Sequence, residues 1–209
     1  MIKTILYFHG FASSSDSNKA IIFKEYISSL DKDIKVIIPD LNNNFKYAVE
    51  EIKKLIDINE KPIAFIGSSL GGYYAAYFSS LHNSKAVLIN PATPPLKGFD
   101  IHLGKNENYS TGEKFTLSKA DMNFIRSISF KSFQNQENTL VLVESGDEVL
   151  DYIDAYSYFK GSNIDIIFGG NHSYESLEKN LRKIKFFLDS FLKTHRNDCH
   201  QKKYQYLIL

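Results

Sequence analysis

Ser69 stands in Gly67-Ser68-Ser69-Leu70-Gly71, which closes a short apolar run over 63–66 and opens a segment with helical spacing. A serine on a sharp turn between a buried strand and a helix holds its hydroxyl clear of the sheet edge, where a nucleophile belongs. Gly67 and Gly71 take away the side chains that would crowd such a turn. The pattern alone is common enough to need partners before it means anything. A serine hydroxyl is a poor nucleophile at neutral pH, so the partners it needs are a base for its proton and an acid to orient that base.

His172 is the candidate base. It lies in Phe168-Gly169-Gly170-Asn171-His172, a glycine-rich loop after the last strand-like run, which puts it on the same sheet edge as Ser69. His82, His195 and His200 sit in polar segments and read as solvated; His102 falls in an irregular stretch and is a weaker candidate for substrate contact. The acid should follow the preceding strand, where Ser145-Gly146-Asp147-Glu148 comes directly after 139–144. Asp147 is the first choice; Glu148, Asp151 and Asp154 compete with it, and Asp147 could instead cap the helix expected over 150–159. Serine, aspartate, histidine is the chain order of α/β-hydrolases and differs from the orders of chymotrypsin-like and subtilisin-like proteases.

Acyl chemistry also needs backbone amides aimed at the developing oxyanion. The amide of Leu70, directly after the serine, supplies one. The other is expected from Phe11, because His9-Gly10-Phe11 follows the first strand and Gly10 lets the backbone turn inward. His9 itself reads as a structural histidine.

The elements that must hold these residues are legible as apolar runs over 5–8, 34–38, 63–66, 86–89, 139–143 and 164–168. They are continuous rather than alternating, as in strands covered on both faces. Between most of them lie helical patterns, such as Phe45, Val49, Ile52 and Ile56, or Leu177, Leu181, Ile184 and Leu188 with Phe191. Strand and helix in alternation give an α/β class: a mainly parallel sheet of about six strands between helices. The rhythm breaks over 91–138, where prolines, glycines and polar residues predict a small helical, lid-like insertion. The expected organisation is one hydrolase-sized domain over 1–194, with a tail over 195–209 whose last residues turn apolar.

Composition narrows the partners. A net charge of +1 offers no electrostatic case for nucleic acid or an anionic membrane. No run approaches the ~20 apolar residues of a membrane span, the first residues lack the core of a signal peptide, and a single cysteine forms no internal disulfide. The expected location is the cytoplasm, and the expected partner is a small molecule.

Taken together, Tyr7-Phe8-His9-Gly10-Phe11, Ile37-Ile38-Pro39, Gly67-Ser68-Ser69-Leu70-Gly71-Gly72-Tyr73-Tyr74-Ala75, Asn90-Pro91-Ala92, Asn106-Glu107-Asn108, Gly146-Asp147-Glu148 and Gly169-Gly170-Asn171-His172 resemble the YqiA type of small bacterial α/β-hydrolases. The resemblance runs over roughly the first nine-tenths of the chain and is loose between 118 and 136. It implies an α/β-hydrolase fold, esterase action on short-chain acyl esters, extending to acyl-CoA thioesters, and no metal or organic cofactor. Ser69, Asp147 and His172 fall on that family's triad positions. Two other classes share these residues: an acyltransferase, and a binding protein on the same scaffold. Lys97 and Lys105 offer a coenzyme A phosphate only the weak lure of surface lysines.

Overall fold

The computed structural model describes residues 1–190; the tail over 195–209 and Phe191 lie outside them. In chain order the main strands are β1 (Thr4–Phe8), β2 (Lys35–Ile37), β3 (Ile63–Ser68) and β4 (Ala86–Ile89), then a ribbon of β5 (Gly104–Glu107) and β6 (Lys114–Leu117), then β7 (Thr139–Glu144) and β8 (Asn163–Ile167). The helices are α1 (Asn18–Leu30), α2 (Phe45–Ile58), α3 (Leu70–His82), α4 (Lys119–Ser127), α5 (Tyr152–Tyr158) and α6 (Leu177–Asp189). Six strands form one parallel sheet in the order β2-β1-β3-β4-β7-β8, at the six places where apolar runs predict them.

Alternate residues of each buried strand feed opposite faces. Leu6, Phe8, Phe65, Leu88, Val141 and Val143 pack towards α2, α3 and the insertion. Ile5, Tyr7, Ala64, Ile66, Val87 and Leu142 pack towards α1 and α6. Both faces are apolar because both are covered, which is why the strands read as unbroken runs. The register places Phe8 opposite Gly67 and Ser68 opposite Ile89. The carboxyl ends of β1, β3, β4 and β7 therefore open on one edge, where α/β sheets bind ligands.

Helix α2 shows how the sequence specifies its layer. Asn44 caps it, its side chain accepting from the amides of Lys46 and Tyr47, and Phe45, Ala48, Val49, Ile52 and Ile56 form its buried stripe. Each of the larger side chains contributes about 1.5–3 kcal/mol relative to exposure.

The insertion holds the expected helix, α4, started by a capping box between Ser118 and Asp121. It also holds the antiparallel β5–β6 ribbon, which the sequence does not announce. Gly104-Lys105-Asn106-Glu107 is polar and half exposed, so β5 is held by pairing with β6, whose Leu117 is the buried anchor. The insertion is fastened at several points. The Tyr109 amide donates to the Ala12 carbonyl (2.8 Å) and Asn108 Nδ2 to the Ser13 carbonyl (2.9 Å). Asn43 and Asn44 reach across to Glu113 and Asp121, and Leu117, Met122, Ile125 and Phe133 enter the main core. Among the described residues no helix is long and apolar enough to cross a membrane.

Candidate active site

Ser69 sits at the turn from β3 into α3 with φ 56° and ψ −122°. For a residue with a side chain this backbone costs about 1–3 kcal/mol and persists only if its surroundings impose it. They do: the Ser69 amide donates to the Ile89 carbonyl (3.0 Å), and the Ser69 carbonyl accepts from Gly72 (3.0 Å), Tyr73 (3.3 Å) and Ala92 (3.0 Å). The flanking glycines are obligatory. A Cβ on Gly67 would lie 2.1 Å from the Gly71 carbonyl oxygen, and one on Gly71 would lie 2.0 Å from that of Phe8. Ala12, Asn90 and Tyr174 also carry positive φ on this edge (51°, 40° and 55°), so the strained backbone gathers around the serine.

The structure brings Ser69, His172 and Asp147 into one chain of hydrogen bonds. His172 Nε2 lies 3.0 Å from Ser69 Oγ, and Nδ1 lies 2.9 Å and 2.8 Å from the two carboxylate oxygens of Asp147. With Nδ1–H donating to the carboxylate, Nε2 is left as the acceptor for the serine hydroxyl. The Asp147 side chain is only 3% exposed, and its Oδ1 also accepts from the amides of Val149 (2.9 Å) and Leu150 (2.8 Å).

Each competitor of Asp147 has another place. Asp151 caps α5 by accepting from the Ile153 amide, Asp154 pairs with Lys97 at the surface, and Glu148 accepts from the backbone amide of His172.

Gly10 passes close to Ser69: a Cβ there would stand 3.4 Å from Ser69 Cβ and 3.8 Å from its Oγ. Among the described residues, neither the Phe11 nor the Leu70 N–H finds a protein acceptor. His9 lies behind this loop. Its Nε2 accepts from the Leu41 amide (3.2 Å) and its Nδ1–H donates to the Gly10 carbonyl (2.9 Å). Burial pulls its pKa down against smaller upward pulls from Gly10 and Asp40. It is the structural histidine the sequence suggests. The Phe11 ring packs on Phe99, His102 and Phe115 at 5.1, 4.6 and 5.7 Å between centroids, so His102 joins an aromatic cluster. Burial lowers its pKa as well. A cleft of about 260 Å³ opens between the start of the insertion and the loop after β7, lined by Ala92, Thr93, Leu96, Phe99, Val149 and Leu150.

Two residues of the site have roles that the sequence does not announce, although Asn90 falls within a stretch that carries the family resemblance. Glu144, the last residue of β7, is fully buried, and its carboxylate accepts from three amides of the loop bearing His172. Asn90, the residue after β4, donates to carbonyls of the same loop. A charged residue at a strand end facing a Gly-Gly loop is the signal that could have found the first; the second carries none beyond its place before Pro91.

Comparison with known proteins agrees with this architecture. The model of the family described as Uncharacterised protein family (UPF0227) matches residues 4–189. YcfP of Escherichia coli O9:H4, strain HS, a protein of that family, is 23% identical over 194 residues, which cover 88% of this chain and 97% of YcfP. Among solved structures, mouse alpha/beta hydrolase domain-containing protein 10 is similar with a TM-score of 0.69 and 16% identity, covering 89% of each chain. The esterase domain of a Rhodothermus marinus protein is similar with a TM-score of 0.61 and 14% identity, covering 89% of this chain and 85% of that one. These likenesses establish the α/β-hydrolase fold, and the family match over nearly the whole described length places the chain in the UPF0227 family.

Proposed function

We propose that the protein is a serine esterase that hydrolyses short-chain acyl esters through an acyl-enzyme. The observation that carries this reading is the unbroken path from Ser69 Oγ through His172 to Asp147, at 3.0 and 2.8 Å, beneath a strained strand-to-helix turn. Ser69 attacks the acyl carbonyl as His172 Nε2 takes its proton. The free amides of Phe11 and Leu70 receive the oxyanion, and the alcohol leaves with the proton from His172. Water then attacks the acyl-enzyme by the same steps in reverse, and Asp147 holds the imidazole in its working tautomer throughout. These residues complete the sequence of steps without a cofactor.

Short acyl groups are what the family resemblance implies; the cleft of about 260 Å³ at Ala92, Leu96 and Leu150 does not count Ser69 or His172 among its lining residues, so its size sets no acyl length. Thioesters react at the same carbonyl and are within the scope of this site. Lys97 has its charge answered by Asp154 at 2.8 Å, which weighs against it as a dedicated phosphate contact. The aromatic cluster of Phe11, Phe99 and Phe115 and the fastened insertion wall the oxyanion side.

The reading is tested by covalent trapping with a fluorophosphonate followed by peptide mass analysis. The expected result is one adduct on Ser69, absent from Ser69→Ala. An unlabelled wild-type protein, or a label on another serine, would contradict it.

A further inference from the structure

The loop that carries His172 is held from below by two buried polar side chains that the acyl-transfer steps do not use. Glu144 is completely buried, at 0% exposure, and no cation forms an ion pair with it among the described residues. Its Oε2 accepts from the amides of Asn171 (2.9 Å) and Glu175 (3.3 Å), and its Oε1 from the amide of Ser176 (2.9 Å). Three amides on one carboxylate replace the water it has lost. Burial pushes the Glu144 pKa up, but the hydrogen bonds from Ser176, Asn171 and Glu175 outweigh it and hold the group below the usual glutamate value.

Asn90 grips the other polarity of the same loop. It is 2% exposed, and its Nδ2 donates to the carbonyls of Asn171 (3.0 Å) and His172 (3.3 Å). Its Oδ1 accepts from the Glu144 backbone amide at 2.9 Å, which ties the Asn90 side chain to the end of the adjacent strand β7 that bears Glu144. The loop lies hard against this cradle: a Cβ on Gly170 would stand 2.0 Å from Glu144 Oε2. A carboxylate that accepts from the amides and a carboxamide that donates to the carbonyls fix both the height and the tilt of one short segment. The segment ends in the imidazole.

The geometry points to Asn90 and Glu144 as positioning residues that set His172 at hydrogen-bonding distance from Ser69. They touch neither substrate nor the reacting atoms. Their effect should appear in the chemical step and not in binding, because a misplacement near 1 Å of a catalytic group can cost about 10²-fold in rate. This inference rests on the esterase reading, so its test includes a measurement that needs no substrate.

The experiment compares wild type with Glu144→Gln and with Asn90→Gly. The first keeps the side-chain size but turns an amide donor towards backbone donors. The second keeps the left-handed backbone comfortable while deleting the side chain. Two quantities are read: kcat and KM on a chromogenic acetyl ester, and the downfield NMR signal of the His172 Nδ1 proton in the free protein. Expected for both variants is a kcat lower by about 10–100-fold with KM within about twofold, together with a shifted or exchange-broadened imidazole proton. Should Glu144→Gln fail to fold, Asn90→Gly decides alone. A folded variant with the imidazole signal unchanged, or a loss carried by KM alone, overturns the proposal. If wild type hydrolyses no ester while the variants still move the imidazole proton, the esterase reading fails and the positioning role stands.

Discussion

At the scale of single residues, the site is built from backbone conformations that few side chains tolerate. Gly71 is the sharpest case, because its α-carbon lies against the Phe8 carbonyl at the point where β1 gives way to the His9-Gly10-Phe11 loop. Gly71→Ala should force β1 and the turn apart. The expected loss is about 1–3 kcal/mol of stability, read as a lower urea midpoint at unchanged slope, with turnover reduced beyond the unfolded fraction. An unchanged midpoint would mean that the turn has room the structure does not show. Asp147 shows how local chemistry separates rivals of one type. Four carboxylates crowd 147–154, and each finds a different partner: an imidazole, a backbone amide of the histidine loop, a helix cap and a surface lysine. Sequence position favours Asp147, but only the fold shows where the others go.

At the scale of elements, what was legible is what burial dictates. The central strands β1, β3, β4 and β7 announce themselves because they are covered on both sides, the edge strands β2 and β8 because their apolar runs survive partial burial, and α2 and α6 because their apolar residues recur at helical spacing. The β5–β6 ribbon was not legible, since β5 is polar and half exposed and β6 buries only Leu117 fully. Asn90 and Glu144 were not legible either. Their roles exist only because β4 and β7 lie side by side, with the histidine loop folded back over both. The insertion is another case of meaning conferred by contact. Asn108 is 5% exposed; it accepts from the amides of Ser110 (2.9 Å) and Thr111 (3.0 Å) while donating to the Ser13 carbonyl, so one side chain shapes the ribbon turn and fastens it beside the loop after β1. Asn108→Ala should cost about 1–3 kcal/mol through the donors and acceptor left unpaired. It should also raise amide hydrogen exchange at 10–14 and 108–113. Exchange unchanged at 10–14 would show that the ribbon does not restrain that loop.

At the scale of the whole molecule, the shifted groups act together on stability. Burial lowers the pKa of His9, His82 and His102 from the ordinary value of 6.5. Between the folded and unfolded values the unfolded chain binds more protons, so stability falls as pH drops below about 6.5. For Glu144 and Asp121 burial raises the pKa and hydrogen bonds lower it, with the lowering dominant. Their contribution is present above the ordinary carboxylate range and disappears as pH falls through the folded values. Urea midpoints measured from pH 8 downward should therefore be level at first, decline from near pH 6.5, and decline again in the carboxylate range. In Glu144→Gln the second decline should be shallower. A midpoint that rises on acidification would contradict the sign of these shifts.

One sheet edge, formed where β1, β3, β7 and β8 end, gathers Phe11, Ser69, Leu70, Asp147 and His172 from separate parts of the chain, and the proposed function rests on that gathering. The most direct test is steady-state hydrolysis of a chain-length series of chromogenic acyl esters by wild type beside Ser69→Ala. The account predicts turnover by wild type that is greatest for the shortest acyl groups and lower by about 10⁵–10⁶-fold in Ser69→Ala. Turnover that survives the loss of Ser69, or a folded wild-type protein that hydrolyses none of the series, would contradict it.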